Sequence, residues 1–176
     1  MSCFSLQTGI AGSCDSSKGG IKKVFLMTAD VVPTIDSAST LPVVTSLSGT
    51  TTANTFEFNF KKGTSSMEST LTVDQANGVN FVSTALNLVF TKMDANKRLA
   101  MVALAKDDLK AVVVDSNGTG WFLGMDEPLN ATEGTGASGT AATDGNRYSI
   151  TLTDESTEWP YTVSQGVIDE LEGLAG

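Results

Sequence analysis

The sequence predicts a mainly β (α+β) fold: an antiparallel β-sandwich or barrel-like domain with one flanking α-helix, long loops and extended terminal arms. Several runs of the chain alternate apolar and polar residues with the period of two that a half-buried strand requires. Only one stretch has a strong helical period of about 3.6 residues. Segments rich in Gly, Ser and Thr separate these runs, as is typical of loops and arms.

The chain length predicts one domain. With 176 residues, the chain can bury about two thirds of its unfolded surface, so it needs no disulfide or structural metal. We expect residues 1–20 to form an extended N-terminal arm, residues 21–153 to form the β core, and residues 154–176 to form an acidic C-terminal tail. A short helix over 167–171 is compatible with the spacing of the apolar residues in that tail.

The first strand is predicted over 21–29, a compact apolar and β-branched run that follows Gly19 and Gly20. Pro33 and Pro42 then confine the segment between them to loop or edge structure, because proline cannot donate a hydrogen bond to a neighbouring strand.

The clearest alternation lies in residues 55–62, where Phe56, Phe58 and Phe60 share one face. After turn residues 63–66, the run 67–74 alternates in the same way. We therefore expect these two runs to form an antiparallel hairpin with one wet face, and the strand 81–90 to extend it into a three-stranded meander.

One helix is predicted over about 94–106, with Asp94 as its N-cap. Apolar residues that would share the core-facing side of this helix are Ala95, Leu99, Val102 and Ala103, and Met101, Leu104 and Ala105 widen that side.

A second hairpin is predicted around Asn117-Gly118, a strong short turn signal between the strands 109–115 and 119–125. Trp121 and Phe122 in this hairpin are expected to be core residues. Residues 129–146 have mostly small side chains and are expected to form a long loop, and 147–153 alternate as a last half-buried strand.

The composition argues against an enzyme. The chain has no histidine, the usual general base near neutral pH, and no nucleophile-elbow, Walker or dinucleotide-binding motif. Acid pairs such as Asp154-Glu155 are typical of solvated surfaces. We expect no catalytic residue, no metal site and no cofactor. Cys3 and Cys14 can form a disulfide or remain free thiols, and either state would be structural.

The charge is strongly asymmetric. The net charge is -9, and the part of the chain after Lys106 carries 13 acidic and only 2 basic residues. This balance argues against tight nucleic-acid binding, which depends on Lys and Arg contacts to phosphate. The first residues do not resemble a signal peptide, and no run of apolar residues is as long as the roughly 20 residues that cross a membrane. We therefore expect a protein that stays in a cytoplasm or in a particle assembled there.

Three segments of the second half resemble a known family: the hairpin Val112–Gly124, the small-residue loop Gly134–Gly139 and the strand Asp144–Thr153. Together they are similar to the C-terminal half of the tail tube (major tail) proteins of tailed bacteriophages. The resemblance covers about the last half of the chain, and its motifs are structural rather than catalytic.

The resemblance implies a virion structural protein, without enzymatic activity or cofactor, whose copies form hexameric rings that stack into the viral tail tube. The tube would be assembled in the host cytoplasm and would conduct double-stranded DNA during ejection, without specific binding and without a membrane. The partners implied are further copies of the chain and other tail proteins, such as the tape measure and the tail terminator.

The same resemblance suggests where such contacts would lie. Acidic residues expected to face the lumen of the tube are Glu57, Glu68 and Asp74. Residues expected at contacts between subunits are Trp159, Tyr161, Gly134, Gly136 and Gly139. For the Trp159-Pro160-Tyr161 segment, anchoring to its own domain and anchoring to a neighbouring subunit remain equal alternatives.

Two other functions remain open at this point. A head decoration or head-tail connector protein would also be β-rich and oligomeric. A carbohydrate-binding β-sandwich would use Trp159 and Tyr161 to stack on sugars.

Overall fold

The computed structural model describes residues 16–36, 41–141 and 143–175. Cys3, Cys14 and most of the predicted N-terminal arm lie outside these residues. The strands and helices, in chain order, are β1 (Ile21–Thr28), β2 (Val32–Ile35), β3 (Val43–Ser48), β4 (Thr55–Asn59), β5 (Ser66–Asp74), β6 (Val79–Thr91), α1 (Ala95–Leu104), β7 (Leu109–Asp115), β8 (Gly120–Leu123), β9 (Asn130–Ala137), β10 (Arg147–Ser156), β11 (Tyr161–Val163) and α2 (Gln165–Leu174).

The strands form two sheets. The large sheet has seven strands in the order β2-β3-β11-β8-β7-β1-β4, and the small sheet has four in the order β5-β6-β10-β9. All pairings are antiparallel except that of β11 with β3. The described chain is half strand and 13% helix, and neither sheet closes into a barrel. The predicted mainly β class is therefore confirmed, as a sandwich with two helices rather than one.

The central strands of the large sheet are buried on both faces, which makes the molecule three layers deep there. Along β1, Val24 and Leu26 pack into a core shared with the small sheet, whereas Phe25 and Met27 pack into a second core. Helix α2 covers this second core with Val167, Ile168 and Leu171. A strand that is buried on both faces has a continuous apolar sequence, and this explains the compact run that predicted β1.

Several predicted elements are confirmed. The hairpin of β7 and β8 has Val112 opposite Phe122, and Gly118 in its turn has a φ of 90°, which glycine adopts without strain. Phe122 is buried and Trp121 is half-buried. Strand β2, which contains Pro33, lies at an edge of the large sheet as its proline requires.

The predicted hairpin of 55–62 with 67–74 is wrong. Strand β4 pairs with β1 in the large sheet, with Phe58 opposite Val24, whereas β5 pairs with β6 in the small sheet. Phe58 and Phe60 nevertheless face the core between the sheets, where both rings contact Phe90. Both runs alternate, but alternation does not specify the partner strand, so adjacency in sequence misled the prediction.

The small-residue segment 129–146 is not a continuous loop, because residues 130–137 form strand β9. This strand is the edge of the small sheet, and it pairs with β10 with Gly134 opposite Ile150. Its side chains are small and almost all exposed, so apolar alternation is absent and the sequence gives no strand signal.

The predicted C-terminal tail is folded into the large sheet. Strand β11 lies between β3 and β8, and α2 packs against the sheet behind it. The helix extends over ten residues, twice the length of the predicted segment 167–171. The acidic residues that suggested a solvated tail, such as Glu170 and Glu172, lie on the outer side of this helix.

Helix α1 confirms its predicted position and its N-cap, since the Asp94 carboxylate accepts a hydrogen bond of 2.8 Å from the Lys97 backbone N–H. Its predicted core face is wrong. Leu104 is buried and Met101 packs against the core, but Leu99 and Val102 are exposed. The helix covers only an edge of the sandwich, so one narrow stripe contacts the core.

Candidate functional site

The hairpin of β5 and β6 projects from the sandwich. Nearly all of residues 70–80 are exposed, on both faces of the hairpin, although Leu71 and Val73 are apolar. Its turn is well defined, because the Asp74 carboxylate accepts hydrogen bonds from the backbone N–H of Ala76 and from both nitrogens of Asn77. These bonds, that of the Asn77 side chain above all, lower the pKa of Asp74 and keep the tip of the hairpin negatively charged.

One face of this hairpin borders an open groove of about 790 Å³, whose other side is formed by residues 157–162 and 41–42. We call its exposed apolar part the hairpin patch: Leu41, Pro42, Leu71, Val73 and Trp159. Trp159 is 54% exposed and Val73 is 52% exposed. An apolar groove of this kind, rimmed by polar residues, is typical of an interaction site.

A second apolar groove, of about 270 Å³, lies between edge strand β4 and helix α1. Phe56, Leu99 and Ala103 line it, and the adjacent Val102 continues its exposed surface. We call these four residues the helix patch. Leu99 is 68% exposed, which is unusual for a leucine in the middle of an amphipathic helix.

The helix patch lies at one edge of the large sheet, and the hairpin patch lies beside an interior strand of that sheet. Strand β4 forms one edge, and β11, next to the hairpin patch, is four strands away, at roughly 19 Å by the usual spacing between strands. The hairpin patch and the helix patch share no lining residue and are therefore separate surfaces of the subunit.

The charges around the two patches differ. Glu158 lines the groove of the hairpin patch, Asp74 lies at the tip of the hairpin, and no Lys or Arg lines this groove among the described residues. At the helix patch, Arg98 lies one helical turn before Val102, and Asp107 lines the groove. The hairpin patch is thus bordered by negative charge alone, and the helix patch by both signs.

The predicted lumen residues do not share one surface. Glu68 and Asp74 lie on β5 of the small sheet, whereas Glu57 lies on β4 of the large sheet and accepts a hydrogen bond of 2.9 Å from Asn59. The pairing of β4 with β1 separates Glu57 from the other two.

The glycines predicted at subunit contacts lie on or next to the exposed edge strand β9. A Cβ atom at Gly134 would have its nearest neighbours at an ordinary 3.7 Å, whereas a Cβ atom at Gly136 would lie 2.8 Å from the ring of Tyr148. Gly139 follows the strand with a φ of +74°. The fold of the subunit itself therefore explains why glycine occupies positions 136 and 139, but it does not explain the glycine at position 134.

Tyr161 and Trp159 have different environments. The Tyr161 hydroxyl donates a hydrogen bond to the Glu158 carboxylate, which raises the pKa of Tyr161 to about 12. Tyr161 is also held in β11, opposite Phe122. Tyr161 thus anchors this segment to its own domain, while the neighbouring Trp159 ring projects into the hairpin patch.

The sequence analysis placed Asp154 on a solvated surface, and the structure corrects this, because Asp154 is buried. It is only 5% exposed, and it lines a cavity of about 20 Å³, the size of one water molecule, together with Asp126 and Thr84. One carboxylate oxygen accepts a hydrogen bond of 2.9 Å from the Gly124 N–H, and the other accepts none from the described residues. Burial raises the pKa of Asp154. The alternation of Ile150, Leu152 and Asp154 on one face of β10 is the sequence pattern that indicates the burial of Asp154.

No group of three or more Cys, Asp or Glu side chains is placed to share a metal ion in the described ranges. Neither helix of the described chain is long and apolar enough to cross a membrane. Comparison with protein-family models, with curated proteins and with solved structures finds no match to this chain.

Proposed function

We propose that this chain is a structural protein of a tailed bacteriophage virion, whose copies assemble into stacked hexameric rings as the tail tube. The observation that carries the proposal is the pair of separate apolar patches exposed on one sandwich. Each patch leaves large apolar side chains exposed in a single subunit, and a neighbouring copy would remove them from water.

The free edges of the small sheet also support assembly. Strands β5 and β9 each have one neighbouring strand, so each presents unpaired backbone groups along its outer side. Such edges pair readily with another chain. Strand β9 has small, mostly uncharged side chains, which permit close approach of a neighbour.

The charge supports a conduit rather than a nucleic-acid-binding protein. A net charge of -9 repels phosphate, so double-stranded DNA could slide through a tube of such subunits without binding to its wall. Glu68 and Asp74 are the lumen candidates that share one strand.

The test is negative-stain electron microscopy combined with light scattering on the purified chain over a range of concentrations. Stacked rings or tubes with a central hole of about 20 Å or more would support the proposal, since a B-form duplex must fit the hole. Single closed rings that never stack would favour a head-tail connector, and a strictly monomeric protein would overturn the tube.

A second candidate function is carbohydrate binding, favoured by the exposed Trp159 ring at an open groove. Sugars stack on such rings through their apolar faces. Retention on an immobilised glycan panel that Trp159→Ala abolishes would support this function. Phe56→Ala is the matched control, because Phe56 is an equally exposed aromatic residue in the other patch. An absence of retention on every glycan would remove it.

A further inference from the structure

The sequence contains two Asn-Gly pairs, Asn77-Gly78 in the turn between β5 and β6 and Asn117-Gly118 in the turn between β7 and β8. In such a pair the glycine nitrogen can attack the asparagine side chain, because glycine has no Cβ atom to hinder the approach. We propose that Asn77 is a site of spontaneous deamidation, and that the fold protects Asn117 from the same reaction. This inference does not depend on the proposed function.

The reaction needs only water and proceeds in two steps. In the first step the Gly78 nitrogen forms a bond to Asn77 Cγ, and the bond between Cγ and Nδ2 breaks. The side-chain nitrogen leaves as ammonia with the proton of the Gly78 N–H, and a five-membered succinimide ring remains. In the second step water adds to one of the two ring carbonyls. The ring opens to aspartate if the new bond to Cγ breaks, and to isoaspartate if the original main-chain bond to the Gly78 nitrogen breaks.

The reacting groups of Asn77 lie in an exposed turn. Residues 75–79 are all exposed, and the Gly78 N–H donates no hydrogen bond to any of the described residues. The Asn77 side chain donates one hydrogen bond of 2.6 Å, from Nδ2 to an Asp74 carboxylate oxygen. The carboxamide is therefore restrained at one end only, and the attacking nitrogen is open to solvent.

Asn117 also precedes a glycine, but its carboxamide is held at both ends. Its Oδ1 accepts a hydrogen bond of 2.8 Å from the Lys18 backbone N–H, and its Nδ2 donates one of 3.0 Å to the Lys18 carbonyl. The Gly118 N–H, which must lose its proton to attack, donates a hydrogen bond of 3.1 Å to the Asp115 carbonyl. The reaction must break all three bonds, and each bond slows it several-fold.

Deamidation would weaken the turn of the β5–β6 hairpin. Aspartate or isoaspartate at position 77 has no side-chain N–H to donate to Asp74, and its carboxylate would lie near that of Asp74. Repulsion between like charges then replaces a hydrogen bond. Isoaspartate also adds one atom to the main chain of the turn, which strains the pairing of Asp74 with Val79.

The experiment incubates the folded full chain in mildly alkaline buffer and follows each site by peptide mass spectrometry. Replacement of NH2 by OH raises the mass of the peptide that contains the reacting asparagine. We expect the peptide with Asn77 to convert about tenfold faster than the peptide with Asn117, because three more restraining bonds must break at Asn117 than the one at Asn77 would require if all were equal in strength.

Asn77→Gln and Asn117→Gln are the matched variants, since glutamine would have to form a six-membered ring, which closes far more slowly. Asn77→Gln should remove most of the deamidation of the folded chain, and Asn117→Gln should leave it unchanged. In the chain unfolded by urea, Asn77 and Asn117 should react at similar rates, because both pairs keep the glycine and lose their hydrogen bonds.

Three outcomes would overturn the inference. If Asn117 converts as fast as Asn77 in the folded chain, the fold does not protect it. If Asn77 converts no faster in the folded chain than Asn117→Gln and Asn77→Gln differ from one another, Asn77 is not the reactive site. If Asn77→Asp leaves amide hydrogen exchange of residues 70–80 as slow as it is in Asn117→Asp, the modification does not weaken the turn.

Discussion

The large sheet and the β5–β6 hairpin both contain apolar strand residues, but these residues are buried in the sheet and exposed in the hairpin. In the large sheet, β1 and β7 are buried on both faces, between the small sheet and α2. In the distal half of the hairpin, both faces are exposed although Leu71 and Val73 are apolar. The contrast teaches that burial in a single subunit explains the apolar residues of the large sheet but does not explain those of the hairpin.

The largest expected difference is in the loss of unfolding free energy when Leu171 in α2 or Leu71 in the hairpin is replaced by alanine. Leu171 is fully buried, so Leu171→Ala should lower the free energy of unfolding by about 3 kcal/mol. Leu71→Ala removes the same atoms from an exposed position and should change it by about 0.5 kcal/mol or less. Urea denaturation followed by circular dichroism measures both values. Equal losses for the two variants would mean that the hairpin is part of the core.

The next comparison is between two glycines. A Cβ atom at Gly120 would lie 2.9 Å from Ile168 Cδ1 and 3.2 Å from Val163 Cβ, so glycine permits the close approach of α2 to β8 without a shift of these side chains. Gly120→Ala should cost about 2 kcal/mol by forcing α2 away from the sheet.

Gly134→Ala is the matched control on edge strand β9, where the nearest atoms to a new Cβ lie at 3.7 Å. It should be neutral or slightly stabilising, because alanine restricts the unfolded chain. Amide hydrogen exchange should become faster across α2 in Gly120→Ala alone. Unchanged exchange in α2 would contradict the explanation from close packing.

The smallest expected effect is the contribution of Asp154 to the pH dependence of the free energy of unfolding. Burial raises the pKa of Asp154 from its ordinary value of 3.8. The folded protein then holds this proton at a pH where the unfolded chain has lost it. The free energy of unfolding therefore falls as the pH rises from 3.8 through the raised pKa, and it stays lower above that pKa.

Asp154→Asn removes this cost and keeps an oxygen that can accept the hydrogen bond from Gly124 N–H. It should stabilise the protein by about 1 kcal/mol at pH 7 and have little effect at pH 3.5. Glu155→Gln, at the exposed neighbouring position, should show no such dependence. Thermal melts of both variants across this pH range test the prediction, and a lower Tm for Asp154→Asn at pH 7 would contradict it.

The sequence predicts those elements whose signals are local. Residues 21–29, the Asn117-Gly118 turn and the Asp94 cap specify their own backbone conformation, and the structure confirms each of them. The partner of each strand depends on distant contacts, so alternation in residues 55–62 predicted a strand but not its pairing with β1. Strand β9 has no apolar alternation, and only its pairing with β10 makes it a strand.

The candidate site was less predictable for the same reason. Leu99 and Val102 have the spacing of core residues, and their exposure follows from the position of α1 at an edge of the sandwich. Trp159 and Tyr161 are aromatic residues only two positions apart, so the sequence does not distinguish them. Only Tyr161 lies in a strand, opposite Phe122, and donates a hydrogen bond to Glu158. Which aromatic residue remains exposed is decided by tertiary contacts.

The central position of β11 has a consequence for synthesis on the ribosome. Strands β2 and β3 are translated early, but they join the large sheet only through β11, which is made long afterwards. Leu41 and Pro42 on one side of the hairpin patch, and Trp159 on the other, therefore come together only after residues 161–163 have been translated. A nascent chain on a polysome consequently lacks a complete hairpin patch until nearly all of its residues have been translated.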